Sequence, residues 1–285
     1  MFPSPLSNFL VTANPDIPFM LCASLMPIHA PAVCWGTSLK FADLIALFIK
    51  NMISRSENKD TIAYNLSDFN AIDKATLNSV LIKYEEQKNK KSFNRKFERQ
   101  SEREKFIENA FGKLGNRFKK LSLRRKGYVS AFGGIIIDFD NDQPPYIDPK
   151  NVLALLPKNM SFVLHNSFSD SETRPKYRLV IPFAAPISKS RCYYEKLYHP
   201  FINLIDPDLS HCGAKRIDKT CAQEFRGFYV PNYPTSKPGG YCTEPINGTP
   251  WIVARHGKFI DGQALYMETL RFELRHMKIF GKKNA

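Results

Sequence analysis

None of the chain's six cysteines falls in a C-x-x-C pair, no apolar run approaches the length of a membrane span, and no G-x-x-x-x-G-K-[ST] loop occurs in its 285 residues. Each absence removes a class. Without paired spacing a disulfide scaffold is disfavoured, and Cys22, Cys34, Cys192, Cys212, Cys221 and Cys242 fit reduced thiols inside a cell. The apolar first 30 residues are broken by Asn14, Pro15, Asp16, Pro18 and Pro27 and lack a basic start, so neither a secretory leader nor a membrane span is expected. The expectation is a soluble, cytoplasmic protein without a membrane partner. Lacking the phosphate loop, the chain has no P-loop helicase of its own. Lacking a His-hydrophobic-His pair, it is a poor candidate for a rolling-circle nicking enzyme. Internal repeats and low-complexity tracts are absent too.

Acidic residues are scarce. The 27 Asp and Glu stand against 41 Lys and Arg, a formal net charge of +14, which points to a polyanionic partner. Between Lys83 and Lys126 there are 16 Lys and Arg against six Glu, with Phe93, Phe97, Phe106, Phe111 and Phe118 among them. Cations interleaved with aromatics suit a surface that tracks phosphates and stacks bases. An amphipathic helix pair with a solvated basic face accounts for the same pattern equally well. Hydrophobic residues make up 43% of the chain, ample for a folded core.

The periodicity predicts helices first and strands later. Ser38 is a candidate cap for a helix carrying Phe41, Leu44, Ile45, Phe48, Ile49 and Met52. A second helix is expected after Asp73, with Leu77, Val80, Leu81 and Tyr84 on one face. From Tyr128 the pattern changes to short strands at 135–139, 161–165, 177–181 and 225–230. Between them, Ser188 should open a helix that Pro200 kinks or ends. A turn-rich stretch, 232–248, leads into a strand at 251–253 and a last amphipathic helix at 263–280. The fold class expected is α+β, with a mixed or mostly antiparallel sheet. The expected divisions are an N-terminal extension (1–30), a helical basic part (31–118), a core (119–255) and a C-terminal helix (256–285).

Chemistry concentrates where Ile135, Ile136 and Ile137 run into Asp138, Phe139 and Asp140. Alternate residues of a strand share a face, so Asp138 and Asp140 project side by side. Paired carboxylates repel unless a cation neutralises them, and hard divalent ions prefer oxygen ligands. Further on, Lys176 and Arg178 share a face of a strand, placed to hold a triphosphate, Arg178 as a fork and Lys176 as a point charge. Later still, Ile217 and Asp218 are followed eight residues on by Arg226. His199, His211, Cys212 and Cys221 match no standard zinc spacing and read as ordinary residues. Asp142, Asp206 and Asp208 read as structural or turn residues.

In this order the elements resemble the archaeo-eukaryotic primase superfamily, particularly the primase-polymerases of plasmids, phages and other mobile replicons. The family's motifs are hhhDhD or hhhDhE, S-x-H on a strand, and h-D followed by an arginine-bearing strand. Residues 135–140 match the first, and Ile217 with Asp218 matches the third, with Arg226 at a family-like spacing. Lys176, Tyr177 and Arg178 occupy the place of S-x-H, so Arg178 stands where the nucleotide-contacting histidine would be. Ser167-x-Ser169, with His165 nearby, is an alternative partial match. The likeness covers about 127–231.

The resemblance implies an RRM-like sheet with flanking helices and template-directed nucleotidyl transfer, as a DNA primase and polymerase. Asp138, Asp140 and Asp218 would hold two divalent ions, Mg²⁺ or Mn²⁺. Lys176, Arg178, Arg226, Ser167 and Ser169 would bind the nucleoside triphosphate. Arg117, Lys119, Lys120, Arg124, Arg125 and Lys126 would hold a single-stranded DNA template, and a separate replicative helicase is the expected partner. Two other readings stand beside it: a primase-like initiator that only binds DNA, and a metal-dependent nuclease.

Overall fold

The apolar runs settle into two β-sheets that share one core. The structure is a computed structural model and describes residues 5–13, 16–23, 33–54, 62–86, 100–115, 118–192, 194–205, 216–226, 228–229, 231, 234, 240–246 and 248–280. Among them, in chain order, run β1 (Leu10–Val11), β2 (Ile17–Ala23), β3 (Val33–Leu39), α1 (Phe41–Ser54), β4 (Ile62–Asn65), β5 (Ser67–Phe69), α2 (Lys74–Glu86), α3 (Gln100–Gly112) and β6 (Lys120–Leu123). There follow β7 (Val129–Phe139), α4 (Pro149–Leu155), β8 (Phe162–Asn166), β9 (Tyr177–Ser188), α5 (Tyr194–Ile205), β10 (Phe228–Tyr229), β11 (Ile252–Arg255), β12 (Phe259–Ile260) and α6 (Gly262–Phe280). The chain is α+β.

The first sheet is mixed and has the order β1-β12-β9-β7-β5, with β8 also on β9 and β11 on β8. Its centre is the antiparallel pair of β7 and β9, in register from Gly134 with Pro182 to Phe139 with Tyr177. In that paired stretch both strands are buried almost throughout, so their sequences read as runs of Ile, Val and Leu rather than as alternations. The second sheet, β10-β4-β2-β3-β6, is antiparallel throughout. Here the period of two is explicit. Val33 and Trp35 of β3 face a cluster with Leu77, Leu81 and Ile107 of α2 and α3, while Cys34 between them joins the main core with Phe19, Phe48 and Tyr64.

The part expected to be helical, 31–118, contains α1 to α3 but also β3, β4 and β5. Residues 17–23, expected in an extension, form the central strand of the second sheet. Pro18 masks that strand in the sequence, yet it sits at the strand's start, where a missing N–H is tolerated. The second sheet is also completed from the expected core, since β6 pairs with β3 and β10 pairs with β4. A boundary at 118–119 therefore divides a single sheet.

Of the expected strand at 225–230, Phe228–Tyr229 form β10, which joins the second sheet. Ser188 ends β9, and the helix begins at Tyr194 and runs through Pro200 to Ile205. Tyr194, Leu197, Tyr198, Phe201, Ile202 and Ile205 are all buried on it, and that apolar face outweighs one lost backbone hydrogen bond. Among the described residues no helix is long and apolar enough to cross a membrane.

Candidate active site

Three neighbouring strands place three polar side chains in one row. Asp138 of β7 lies opposite Arg178 of β9, and Arg178 lies opposite His165 of β8. Directly opposed residues of antiparallel strands share a face, so the row Asp138–Arg178–His165 follows from register alone. The Arg178 Nε stands 3.0 Å from Asp138 Oδ2, with only 12% and 7% of the two side chains exposed. Burial pushes the Asp138 carboxyl pKa up, and Arg178 pulls it back only in part. Burial works against the charge on Arg178, but Asp138, together with Tyr64 and Cys221, raises the guanidinium pKa.

His165 is fully buried. Burial, reinforced by the Arg178 charge, pushes its pKa down to about 3. The ring is therefore neutral. Its Nδ1 lies 2.9 Å from the Asn166 carbonyl, so this nitrogen carries the proton and Nε2 is left as an acceptor with no hydrogen-bond partner. Phe48 of α1 meets the ring edge-on at 5.6 Å.

Asp218 reaches the row from outside the sheet. Ile217 bridges Phe139, and the Asp218 N–H donates to the Asp138 carbonyl at 3.0 Å, which fixes the two aspartates side by side. Asp218 also caps the 3₁₀ turn Lys219–Ala222, its Oδ1 accepting from the Thr220 N–H at 2.9 Å and the Thr220 hydroxyl at 2.7 Å. Residues three apart eclipse in such a turn. Cys221 is thereby carried over Asp218, its N–H bonded to the Asp218 carbonyl at 3.0 Å. One ligand atom each from Asp138, Asp218 and Cys221 lie within 4.8 Å of one another. Burial raises the thiol pKa, and the two carboxylates raise it further.

Arg226 closes the cluster, with Nη2 2.6 Å from Asp218 Oδ2. Both Arg178 and Arg226 lie 5.8 Å from the centre of the Phe228 ring. The hydroxyl of Tyr64 is buried without a hydrogen-bond partner, and that of Tyr198 is buried against the Cys221 thiol. Both feel the charge of Asp138 and of Cys221, so they border the same centre.

Asp140 projects to a different neighbourhood. Lys176 Nζ lies 3.0 Å from Asp140 and 3.4 Å from Asp142, and Arg174 pairs with Asp142. Asn141 makes this possible. Its φ of 45° turns the chain in the left-handed region, and its buried amide donates to the carbonyls of Pro175 at 2.7 Å and Ile147 at 3.1 Å. Asp170, wholly buried, holds the facing loop by accepting from the Lys176 N–H at 2.9 Å, the Gly248 N–H at 3.1 Å and the Asn166 amide at 3.2 Å.

The structure thus brings Asp138, Asp218, Arg178 and Arg226 together and sets Asp140 with Lys176 beside them. Ser167 is buried in the turn before β9, where its N–H bonds the Lys176 carbonyl, and Ser169 is exposed. Of the expected template contacts, Lys119, Arg125 and Lys126 are exposed, Lys120 pairs with Asp68, and Arg117 lies outside the described residues. Arg124 Nη1 lies 3.3 Å from the carbonyl of Phe225, the residue before Arg226, so the basic stretch abuts the site. Of the four residues weighed for zinc, His199 is exposed and His211 and Cys212 lie outside the described residues.

In the sequence Cys221 reads as an ordinary residue and His165 only as a neighbour of a partial motif. Cys221 is betrayed only by its spacing, Asp-x-x-Cys in a capped turn. His165 is betrayed only by strand register. A divalent cation fits the centre on its donor chemistry: Asp138 and Asp218 offer oxygen, Cys221 offers sulfur, and the orphaned Tyr64 hydroxyl stands beside them. Asp140 is not part of that donor set. The chain matches no protein-family model, no curated protein and no solved structure.

Proposed function

We propose that the chain is a template-directed nucleotidyltransferase, a DNA primase and polymerase acting on single-stranded DNA with nucleoside triphosphates. The supporting observation is the pairing of a buried and a partly buried aspartate from separate segments, Asp138 and Asp218, each beside its own arginine in one polar centre. Two carboxylates with two guanidiniums suit a reaction in which a metal-bound polyphosphate enters between them.

Asp138 and Asp218 would hold the divalent ion, with Asp140 as the nearest further carboxylate. When bound, that ion supplies Lewis-acid stabilisation of the attacking hydroxyl and of the charge at the α-phosphate. The remaining roles fall to the chain. Arg226, with a third of its side chain exposed, is the cation free to reach the triphosphate. Arg178 is buried and always charged, so it orients Asp138 and moves no proton. Lys176 would exchange Asp140 for a phosphate oxygen. Lys119, Arg124, Arg125 and Lys126 would track template phosphates without reading sequence.

The test is nucleotide incorporation on single-stranded DNA, primed and unprimed, in Mg²⁺ and in Mn²⁺, with Asp138→Asn and Asp218→Ala. Metal-dependent synthesis lost in both variants is the expected result. A second reading, an initiator that only binds DNA, draws support from the neutralisation of both aspartates by arginine. Salt-sensitive DNA binding with no incorporation in either metal would favour it and overturn the polymerase.

A further inference from the structure

We propose that Cys221 is a metal ligand, and that with Asp138 and Asp218 it forms a mixed oxygen–sulfur site that selects borderline divalent ions such as Co²⁺ or Zn²⁺ over Mg²⁺. The inference rests on the reading of Asp138 and Asp218 as metal ligands, and adds the third donor and the class of ion. Three observations carry it. The donor atoms of the three side chains lie within 4.8 Å of one another, a span that one cation can bridge. The position of Cys221 is built and not incidental, because the Asp218 cap winds the turn that carries the thiol onto the carboxylate. Finally, the buried hydroxyl of Tyr64 borders the same centre with no hydrogen-bond partner, leaving acceptor and donor capacity that a hydrated cation would use.

Asp140, by contrast, stays on Lys176 and Asp142. The ligand that an all-oxygen site would take from the paired-aspartate motif is replaced by sulfur from the turn. Oxygen-only sets suit Mg²⁺, and thiolate is a soft ligand that hard ions avoid. The arginine pairs do not close the site. A carboxylate has about four lone-pair positions, so Asp138 and Asp218 keep acceptor capacity beside Arg178 and Arg226. When the metal–sulfur bond forms, the thiol proton leaves to solvent.

The experiment is a titration of the full chain with Co²⁺ in a non-thiol reductant, read by absorption. Thiolate ligation gives a sulfur-to-cobalt charge-transfer band, which carboxylates alone do not give. The wild type is expected to develop the band at one equivalent. Cys221→Ser should lose it, and Cys192→Ser, altering a buried cysteine outside the centre, should keep it. Competition with Mg²⁺ should need on the order of 10–100-fold more ion in the wild type than in Cys221→Asp, the scale on which ligand shells tune affinity. A wild type without the band, or a Cys221→Ser that retains it, overturns the proposal. A wild type without the band decides against the proposal even if the variants fail to fold. Incorporation supported equally by Mg²⁺ with no band would sink the ligand and spare the polymerase. A band without incorporation would do the reverse.

Discussion

The Asp138–Arg178 pair allows a quantitative test of the centre. Both side chains are nearly closed off from water and lie 3.0 Å apart. Arg178→Met would leave Asp138 buried beside Asp140, with only Arg226 to offset its charge. Breaking a buried pair on one side costs about 3–5 kcal/mol, because the surviving charge keeps its desolvation penalty. At about 2–4 °C per kcal/mol for chains of somewhat smaller size, the melting temperature should fall by roughly 6–20 °C. The two single variants should differ in their pH dependence. Burial has already raised the Asp138 pKa, so in Arg178→Met the carboxyl can take a proton and the loss should shrink as pH drops. Asp138→Leu strands a guanidinium that cannot deprotonate, and its loss should persist at every pH. The double variant, Asp138→Leu with Arg178→Met, should recover most of the stability, because an apolar pair of similar volume often replaces a buried ion pair at no cost. Urea unfolding of the four proteins at pH 7 and pH 5 closes the cycle. Single-variant losses below about 1 kcal/mol with no coupling, the behaviour of exposed pairs, would refute the buried geometry.

His165 binds no proton when folded until the pH nears 3, whereas the unfolded side chain titrates at 6.5. Its contribution is complete above pH 6.5 and is lost as pH falls, at up to about 1.4 kcal/mol per pH unit. The Asp138 carboxyl, with its raised pKa, acts in the opposite sense, so the acid slope must be read as wild type minus His165→Gln in urea unfolding; equal slopes would dismiss the neutral-histidine assignment. Replacing Arg124, Arg125 and Lys126 by Ala should weaken single-stranded DNA binding and flatten its log Kd against log salt by about 0.7 for each phosphate no longer neutralised. An unchanged slope by fluorescence anisotropy would move the template elsewhere. Asn141→Ala should cost about 1–3 kcal/mol, the scale of buried groups left unpaired, since two carbonyls and the Ile147 N–H lose their partner. A change within about 0.5 kcal/mol, as for an ordinary surface position, would show that the turn after Asp140 does not depend on it.

The residues that speak through local pattern were readable. The β-branched run into Asp138, the helical spacing from Phe41 to Met52, and the cap at Asp73, whose Oδ1 takes the Thr76 N–H at 2.7 Å, each state their structure within a few residues. What stayed hidden depends on partners far along the chain. Residues 17–23 become a central strand only because 33–39 and 62–65 flank them. His165 reads as a residue beside a strand end until β9 sets it opposite Arg178. Asp170 looks like any loop acid, yet it ties two segments 78 residues apart, accepting from Gly248. Cys221 is silent because its partner, Asp138, lies on another segment and the Asp218 cap that delivers it forms only when the turn does.

The charge balance of the centre explains how its carboxylates sit together and why they suit a cation. Two carboxylates held together away from water with no counter-charge would repel and favour protonation. Arg178 and Arg226 prevent that, but unequally. Arg178 is sealed between β7 and β8 with 12% of its side chain exposed, a fixed counter-ion set by register. Arg226 keeps 33% exposure and comes from the segment between the capped turn and β10. A divalent ion on Asp138, Asp218 and Cys221 would make the Arg226 charge redundant for Asp218. The liberated guanidinium would then be drawn to the polyanion that accompanies the metal. In the proposed reaction, metal and triphosphate therefore reinforce each other's binding, through a single arginine that changes partner.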